Sequence, residues 1–195
     1  MRPPVLTPSE ITVPACIFSA LRNELGNISG KHSSSKLLQK VGYGAGSSAS
    51  TMVKEGLDSE VLETRQSAFW AHLCDFFSRR GWGKLVVNSD HPKLGFLTSN
   101  DWAEAMTAEM DQNASCCFST GFISGLLSEI AGSPVAVLEA KCRARGDTAC
   151  KFAFGAEHAV RDLYGQLLVE AAVSYTHLRA HETDSYLVCR LLLEK

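Results

Sequence analysis

Residues 117–132, CFSTGFISGLLSEIAG, followed by residues 134–155, PVAVLEAKCRARGDTACKFAFG, decide how this chain folds. The first stretch spaces Phe118, Phe122, Leu126 and Ile130 along one helical face. The second reads as two β runs around RARGDTA, a segment of turn formers with Gly146 midway between Cys142 and Cys150. A hairpin symmetric about Gly146 sets those two cysteines directly opposite one another. Their β carbons are then ~4.5–5.5 Å apart, close enough for both sulfurs to reach one ion. Alternation places Ala136, Leu138, Ala140 and Cys142 on one face, with Cys150, Phe152 and Phe154 from the partner strand. Val135, Val137, Glu139 and Lys141 take the other face. Glu139 therefore needs a β-bulge to share a metal with the thiols; without one it is a cross-strand ion partner for Lys151. Zinc asks for about four ligands. Cys116 and Cys117, where the helix begins, are the candidates for a third.

Working outward, residues 14–25 and 36–56 read as helices joined by a polar connection over 26–35, and residues 59–80 as a third helix. Residues 83–88 and 95–98 are short β-like runs around a turn at Ser89–Pro92, and Asp101-Trp102 opens a loop or short helix. Residues 157–170 form a last helix with Val160, Leu163, Leu167 and Leu168 on one side. The order of helices, hairpin, helix, hairpin, helix predicts an α+β fold: an antiparallel sheet of two hairpins packed with about five helices.

Two helices carry stripes of small residues: Gly42, Gly46 and Ser50 in one, Gly121 and Gly125 in the other. A glycine inside a helix costs up to ~1 kcal/mol relative to alanine, so something requires close approach there, either another backbone or a flat ligand. Beside Trp102, Phe118 and Phe122 these stripes suggest an apolar small-molecule cavity. Gly42-Tyr-Gly-Ala-Gly46 is no phosphate loop, since it follows a helical run and lacks a Lys-Ser/Thr. Among the histidines only His91, with Asp90 beside it, is kept as a distant fourth-ligand candidate.

The 195 residues carry a net charge of −2 and 45 % hydrophobic residues, ordinary globular values that exclude wholesale disorder. With no long basic run and no apolar stretch near the ~18 residues of a membrane span, neither a nucleic-acid nor a membrane partner is expected. The seven cysteines are an odd number, and no apolar leader precedes them. The expectation is a reducing cytoplasm, where clustered cysteines signal thiolate chemistry or metal rather than cross-links. Residues 173–195, VSYTHLRAHETDSYLVCRLLLEK, are similar to the translated adapter read-through found at the ends of some assembled environmental reading frames. They are set aside as a non-native tail, with Cys189, His177 and His181.

The pattern C-x3-G-x3-G from Cys117 through Gly125, then E-x2-C-x3-G-x3-C-x-F from Glu139 through Phe152, resembles the 4-vinyl reductase domain family. The resemblance covers residues 10–172 as one domain and is most specific over 113–155. It implies the α+β fold of the TRAPP-complex subunits, frequent dimerisation, and a small-molecule-binding module found in bacterial phenol- and xylene-responsive regulators. It also implies a zinc ion held by three cysteines and an upstream glutamate. The latter two cysteines carry over to Cys142 and Cys150. The first falls on Cys116 by its distance to Cys142, or on Cys117 as in other branches. No glutamate lies near residue 95, so Asp90, His91, Glu139 or water is left to complete the shell. The leading expectation is a sensor or binding domain for a small hydrophobic or aromatic compound, with structural zinc at Cys116 or Cys117, Cys142, Cys150 and Glu139. Gly42, Gly46, Trp102, Phe118, Gly121, Phe122 and Gly125 are its candidate ligand contacts. A tetrapyrrole vinyl reductase or its accessory is the first alternative, but no motif for a nicotinamide or flavin cofactor accompanies it. A dimeric scaffold is the second.

Overall fold

The computed structural model describes residues 10–56, 66–89, 91–107 and 116–175. Among these, α1 (Ile17–Glu55), α2 (Gln66–Arg79), β1 (Val86–Asn88), β2 (Leu94–Ser99), α3 (Ala103–Met106), α4 (Cys117–Ala131), β3 (Ala136–Lys141), β4 (Cys150–Gly155) and α5 (Glu157–Tyr175) follow in order. The strands form one antiparallel sheet in the order β1-β2-β4-β3. This is the expected α+β arrangement of two hairpins and five helices. The tail beyond residue 175 lies outside the described residues, as do Asp90 and the first part of the expected third helix.

The polar connection expected over residues 26–35 is instead helical except at Gly30, whose φ of 79° and ψ of 156° break α1 in two. Only glycine takes that conformation without strain. The chain doubles back there, because the Ser34 hydroxyl donates to the Arg22 carbonyl at 3.4 Å. In an unbroken helix those residues would be about 18 Å apart. Residues 17–29 therefore form an arm, and residues 31–55 a long helix lying along α4.

The two sheet faces serve different layers. Leu97, Cys150 and Phe152 face α1, α2 and α4, joining Val53, Leu73, Phe76, Phe77, Ile123 and Leu126 in the main core. Leu94, Ala136, Leu138 and Ala153 face the other way, against Ala159 and Val160 of α5. The strands thus read as apolar on both faces, as a sheet covered on both sides must.

Candidate metal centre

The β3–β4 register contains the feature on which the centre depends. Glu139 pairs with Phe152, but Lys141 pairs with Lys151, so Ala140 is an extra residue and the ladder shifts by one. The bulge ends the simple alternation expected over 136–142. Before it, Ala136 and Leu138 face α5 while Glu139 joins Val135 and Val137 on the α4 side. After it, Cys142 falls on that same α4 side. Glu139 is accordingly buried and not a surface partner of Lys151, and Cys142 does not share a face with Ala136 and Leu138.

The bulge brings Glu139, Cys142 and Cys150 together with Cys116 at the head of α4. The four residues are buried, and one ligand atom from each lies within 4.8 Å of all the others. Cys116 Sγ stands 3.9 Å from Cys142 Sγ and 4.0 Å from Cys150 Sγ. Cys117, the next residue, is outside the group. At a helix start, successive side chains diverge by about 100°, so only one of the pair can face the sheet. His91 is outside it as well: it is exposed in the β1–β2 turn, where its Nδ1 accepts the Lys93 N–H at 3.2 Å.

The cradle is held by hydrogen bonds around it. Asp147 Oδ2 accepts the Cys142 N–H at 2.7 Å, and Cys150 Sγ accepts the Arg143 N–H at 3.5 Å. Glu139 Oε2 accepts the Cys116 N–H at 3.0 Å and an Arg145 N–H at 3.4 Å. Glu139 Oε1 is buried with no hydrogen-bond partner. A buried acceptor left unmatched costs roughly 1–3 kcal/mol, so the arrangement is complete only with something positive at that oxygen. Burial holds the Cys116 thiol and the Glu139 carboxyl well above their ordinary values. Cys142 is lowered by contact with Cys116 but raised by contact with Cys150 and by burial, and ends above its usual value. Cys150, favoured as thiolate by Cys116, Cys142 and the Arg143 N–H, is pushed down to about 4. Three sulfurs and one carboxylate oxygen, one sulfur already anionic, make a donor set that fits zinc.

The residues expected to line a ligand cavity are placed otherwise. A Cβ on Gly42 would lie 2.2 Å from the Phe118 carbonyl oxygen, and one on Gly46 1.9 Å from that of Phe122. Built on Gly121 and Gly125 it would meet the Gln39 and Tyr43 carbonyls at 2.0 and 2.1 Å. The four glycines form a reciprocal seam in which α1 and α4 pack backbone to backbone, so they face no ligand. Trp102 is fully buried, its Nε1 donating to Ser119 Oγ at 2.7 Å and its ring packed on Phe77, Trp82 and Phe152. Phe118 and Phe122 lie against Trp82, with centroids 6.0 and 5.0 Å away. This aromatic cluster is core, with its one polar ring atom at Trp102 satisfied.

The sequence reading singled out neither Trp70 nor His72, both on α2. Trp70 Nε1 and His72 Nε2 are buried without hydrogen-bond partners. The Trp70 ring packs on Phe69 and Phe154, at 4.8 and 5.1 Å. No motif marks such orphans; only their packed surroundings do.

A family model, that of the vinyl-4-reductase domain, matches residues 99–156. Over 83 residues the chain is 35 % identical to an uncharacterized protein of Methanocaldococcus jannaschii, a stretch that covers 43 % of this chain and 44 % of that one. The chain thus spans less than half the length of that curated relative. Its fold is similar to that of the phenol-responsive sensory domain of the transcription activator PoxR, solved with phenol. The TM-score is 0.64 at 16 % identity, over 80 % of this chain and 82 % of that one. A trafficking protein particle complex subunit 3 from Naegleria fowleri, covalently bound to palmitic acid, is also similar. There the TM-score is 0.59 at 18 % identity, over 72 % of this chain and 91 % of that one. The α+β fold is therefore the TRAPP-subunit-like one. With the head of α4, the bulged hairpin and all four donors inside the matched stretch, the chain belongs to the vinyl-4-reductase domain family through residues 99–156.

Proposed function

We propose that this chain is a binding or sensor domain for a small hydrophobic or aromatic molecule, with a structural zinc ion held by Cys116, Glu139, Cys142 and Cys150. The observation that carries the reading is the buried four-donor group with its unmatched Glu139 oxygen. Four protein ligands close a tetrahedral zinc shell and leave no position for a reacting water, which is the signature of a structural site. Such an ion pins the head of α4 to the β3–β4 turn.

The ligand class is supported by the fold shared with the phenol-responsive domain of PoxR. The glycine seam moves the candidate site away from α1 and α4. The flank of α2 is favoured instead, where Trp70 Nε1 is buried among apolar rings with no acceptor. A ligand with one hydrogen-bond acceptor on a flat apolar body would satisfy that donor. Elemental analysis of the purified protein tests the metal: about one equivalent of zinc is expected, lost in Cys142→Ser. Phenol and palmitate, titrated separately while tryptophan fluorescence is followed, test the ligand class. Saturable quenching by either, weakened in Trp70→Phe, supports it; no response to both overturns it.

A second copy of the chain is a further partner. Leu37 and Val41, one turn apart on the outer side of α1, are 43 % and 60 % exposed, beside Gly44, whose Cβ position is open. Sedimentation of the wild type as a dimer, and of Val41→Glu as a monomer, is the expected result. A wild-type monomer overturns it.

A further inference from the structure

Glu104 is a second buried carboxylate at the head of α4, and the metal reading leaves it without a role. Its Oε1 accepts the Phe118 N–H at 3.2 Å and an Arg22 N–H at 3.2 Å. Its Oε2 accepts the Ser119 N–H at 2.8 Å and the Ser119 hydroxyl at 2.5 Å. Cys116 occupies the N-cap of this helix and makes no side-chain cap hydrogen bond. That position is ordinarily held by Ser, Thr, Asp or Asn, whose side chain turns back onto the second and third amides. Here those two amides belong to Phe118 and Ser119, and Glu104 serves them from a different element. The Cys116 side chain is thereby released from capping and turns to Cys142 and Cys150. The N-terminal arm grips the same turn twice. Arg22 holds Glu104, and Phe18 packs on Trp82 and Phe118 with centroids 5.5 and 5.3 Å away.

We propose that Glu104 is a positioning residue for Cys116, and the joint through which the arm, residues 17–29, controls the metal centre. The proposal rests on the metal reading above. With the arm docked, the first turn of α4 is fixed and the Cys116 sulfur is presented to the other three donors. With the arm swung out at Gly30, Glu104 keeps the amides but loses its cation, and the turn carrying Cys116 loosens. Movement of the arm would then be read out as a change in metal retention.

The test measures zinc release to a chromogenic chelator from the zinc-loaded full chain. Arg22→Gln alters a side chain that touches neither α4 nor the metal donors directly; Glu104→Gln alters the joint itself. Each should speed release about tenfold, the factor that a lost charge-assisted hydrogen bond of this kind is worth. The double variant should release no faster than Glu104→Gln alone, because the two residues act in series. Hydrogen exchange on the metal-stripped protein should show the Phe118 and Ser119 amides exchanging faster in both variants. Wild-type release from Arg22→Gln, or additive effects in the double variant, overturns the proposal. A wild type that takes up no zinc sinks the metal reading instead. The exchange measurement then decides alone, and unchanged amide exchange overturns the coupling.

Discussion

Gly46→Ala separates two readings of the glycine stripes by the sign of its effect. Were Gly46 the wall of an open ligand slot, the added methyl would meet nothing. The variant would then gain up to ~1 kcal/mol, the helix propensity of alanine over glycine. In the structure that methyl lies 1.9 Å from the Phe122 carbonyl oxygen and 2.7 Å from its carbon. A carbon–oxygen contact relaxes only near about 3.3 Å. The α4 backbone must therefore retreat by roughly 1 Å or more, and the same glycine seam resists at Gly42, Gly121 and Gly125. Overpacking of this kind typically costs about 1–3 kcal/mol, and here the yielding atoms are backbone, which places the cost at the upper end. After the propensity gain, a net loss of about 2 kcal/mol is expected. For a domain of this size that is a fall of about 4–8 °C in Tm. Urea unfolding with the slope unchanged gives the same quantity at about 25 °C. Gly165→Ala is the control: its Cβ position on α5 has nothing within 4 Å, so it should stabilise slightly. If Gly46→Ala matches or exceeds the wild type in stability, the packed seam is wrong and the ligand-wall reading returns.

Glu139→Gln removes one anionic donor and should weaken zinc affinity by about 10–100-fold while leaving three thiols, measured by competition with a chelator. Zinc affinity should rise with pH. The raised Cys116 and Cys142 thiols hold protons at neutral pH that the metal must displace, whereas Cys150, at about 4, has already lost its own. Calorimetry in buffers of different ionisation enthalpy counts the protons released, and uptake or no release contradicts the assignment. Trp102→Phe keeps the ring packing but deprives Ser119 Oγ of its donor; a loss of roughly 1–3 kcal/mol is expected by urea unfolding, with zinc content unchanged. Asp101 is held below its ordinary value chiefly by the Lys84 N–H. Its small contribution to stability should be fully present above 3.8 and fade as acid protonates the folded carboxyl, a pH dependence absent from Asp101→Asn.

Much of the site is legible in the sequence because hairpin geometry is local. The turn formers centred on Gly146 do place Cys142 and Cys150 on the strand ends where Lys141 pairs with Lys151. What the residues do not declare is the bulge at Ala140, since nothing in VLEAKC departs from ordinary alternation. One inserted residue reverses every later side chain, and that reversal turns Glu139 from a surface charge into a fourth donor. The choice between Cys116 and Cys117 is equally non-local, for it depends on the rotation of α4 against the sheet. Gly42, Gly46, Gly121 and Gly125 do express a demand for close approach, but a demand does not say who approaches. The arm escapes a reading by composition because residues 26–35 are rich in Gly and Ser and still form helix on both sides of Gly30. Tertiary contacts override propensity there, with Ser34 buried against Arg22.

The two carboxylates at the head of α4 explain why a cysteine can stand at an N-cap at all. A thiol is a poor acceptor, so a helix beginning at Cys116 would leave its first amides unmatched inside the protein. Glu139 takes the Cys116 N–H and Glu104 takes those of Phe118 and Ser119, which satisfies the helix end without using any sulfur. The helix dipole favours both negative charges there and would favour a thiolate on Cys116 as well. Three anionic groups so close together repel, which is why burial and mutual contact hold protons on Cys116 and Glu139. A divalent cation relieves that conflict in one step by replacing the protons and matching the free Glu139 oxygen. Substituting Glu104 therefore reaches the metal without touching a donor, whereas substituting Glu139 removes a donor and an amide acceptor together. If zinc content and stability respond identically to Glu104→Gln and Glu139→Gln, this division between the two carboxylates is wrong.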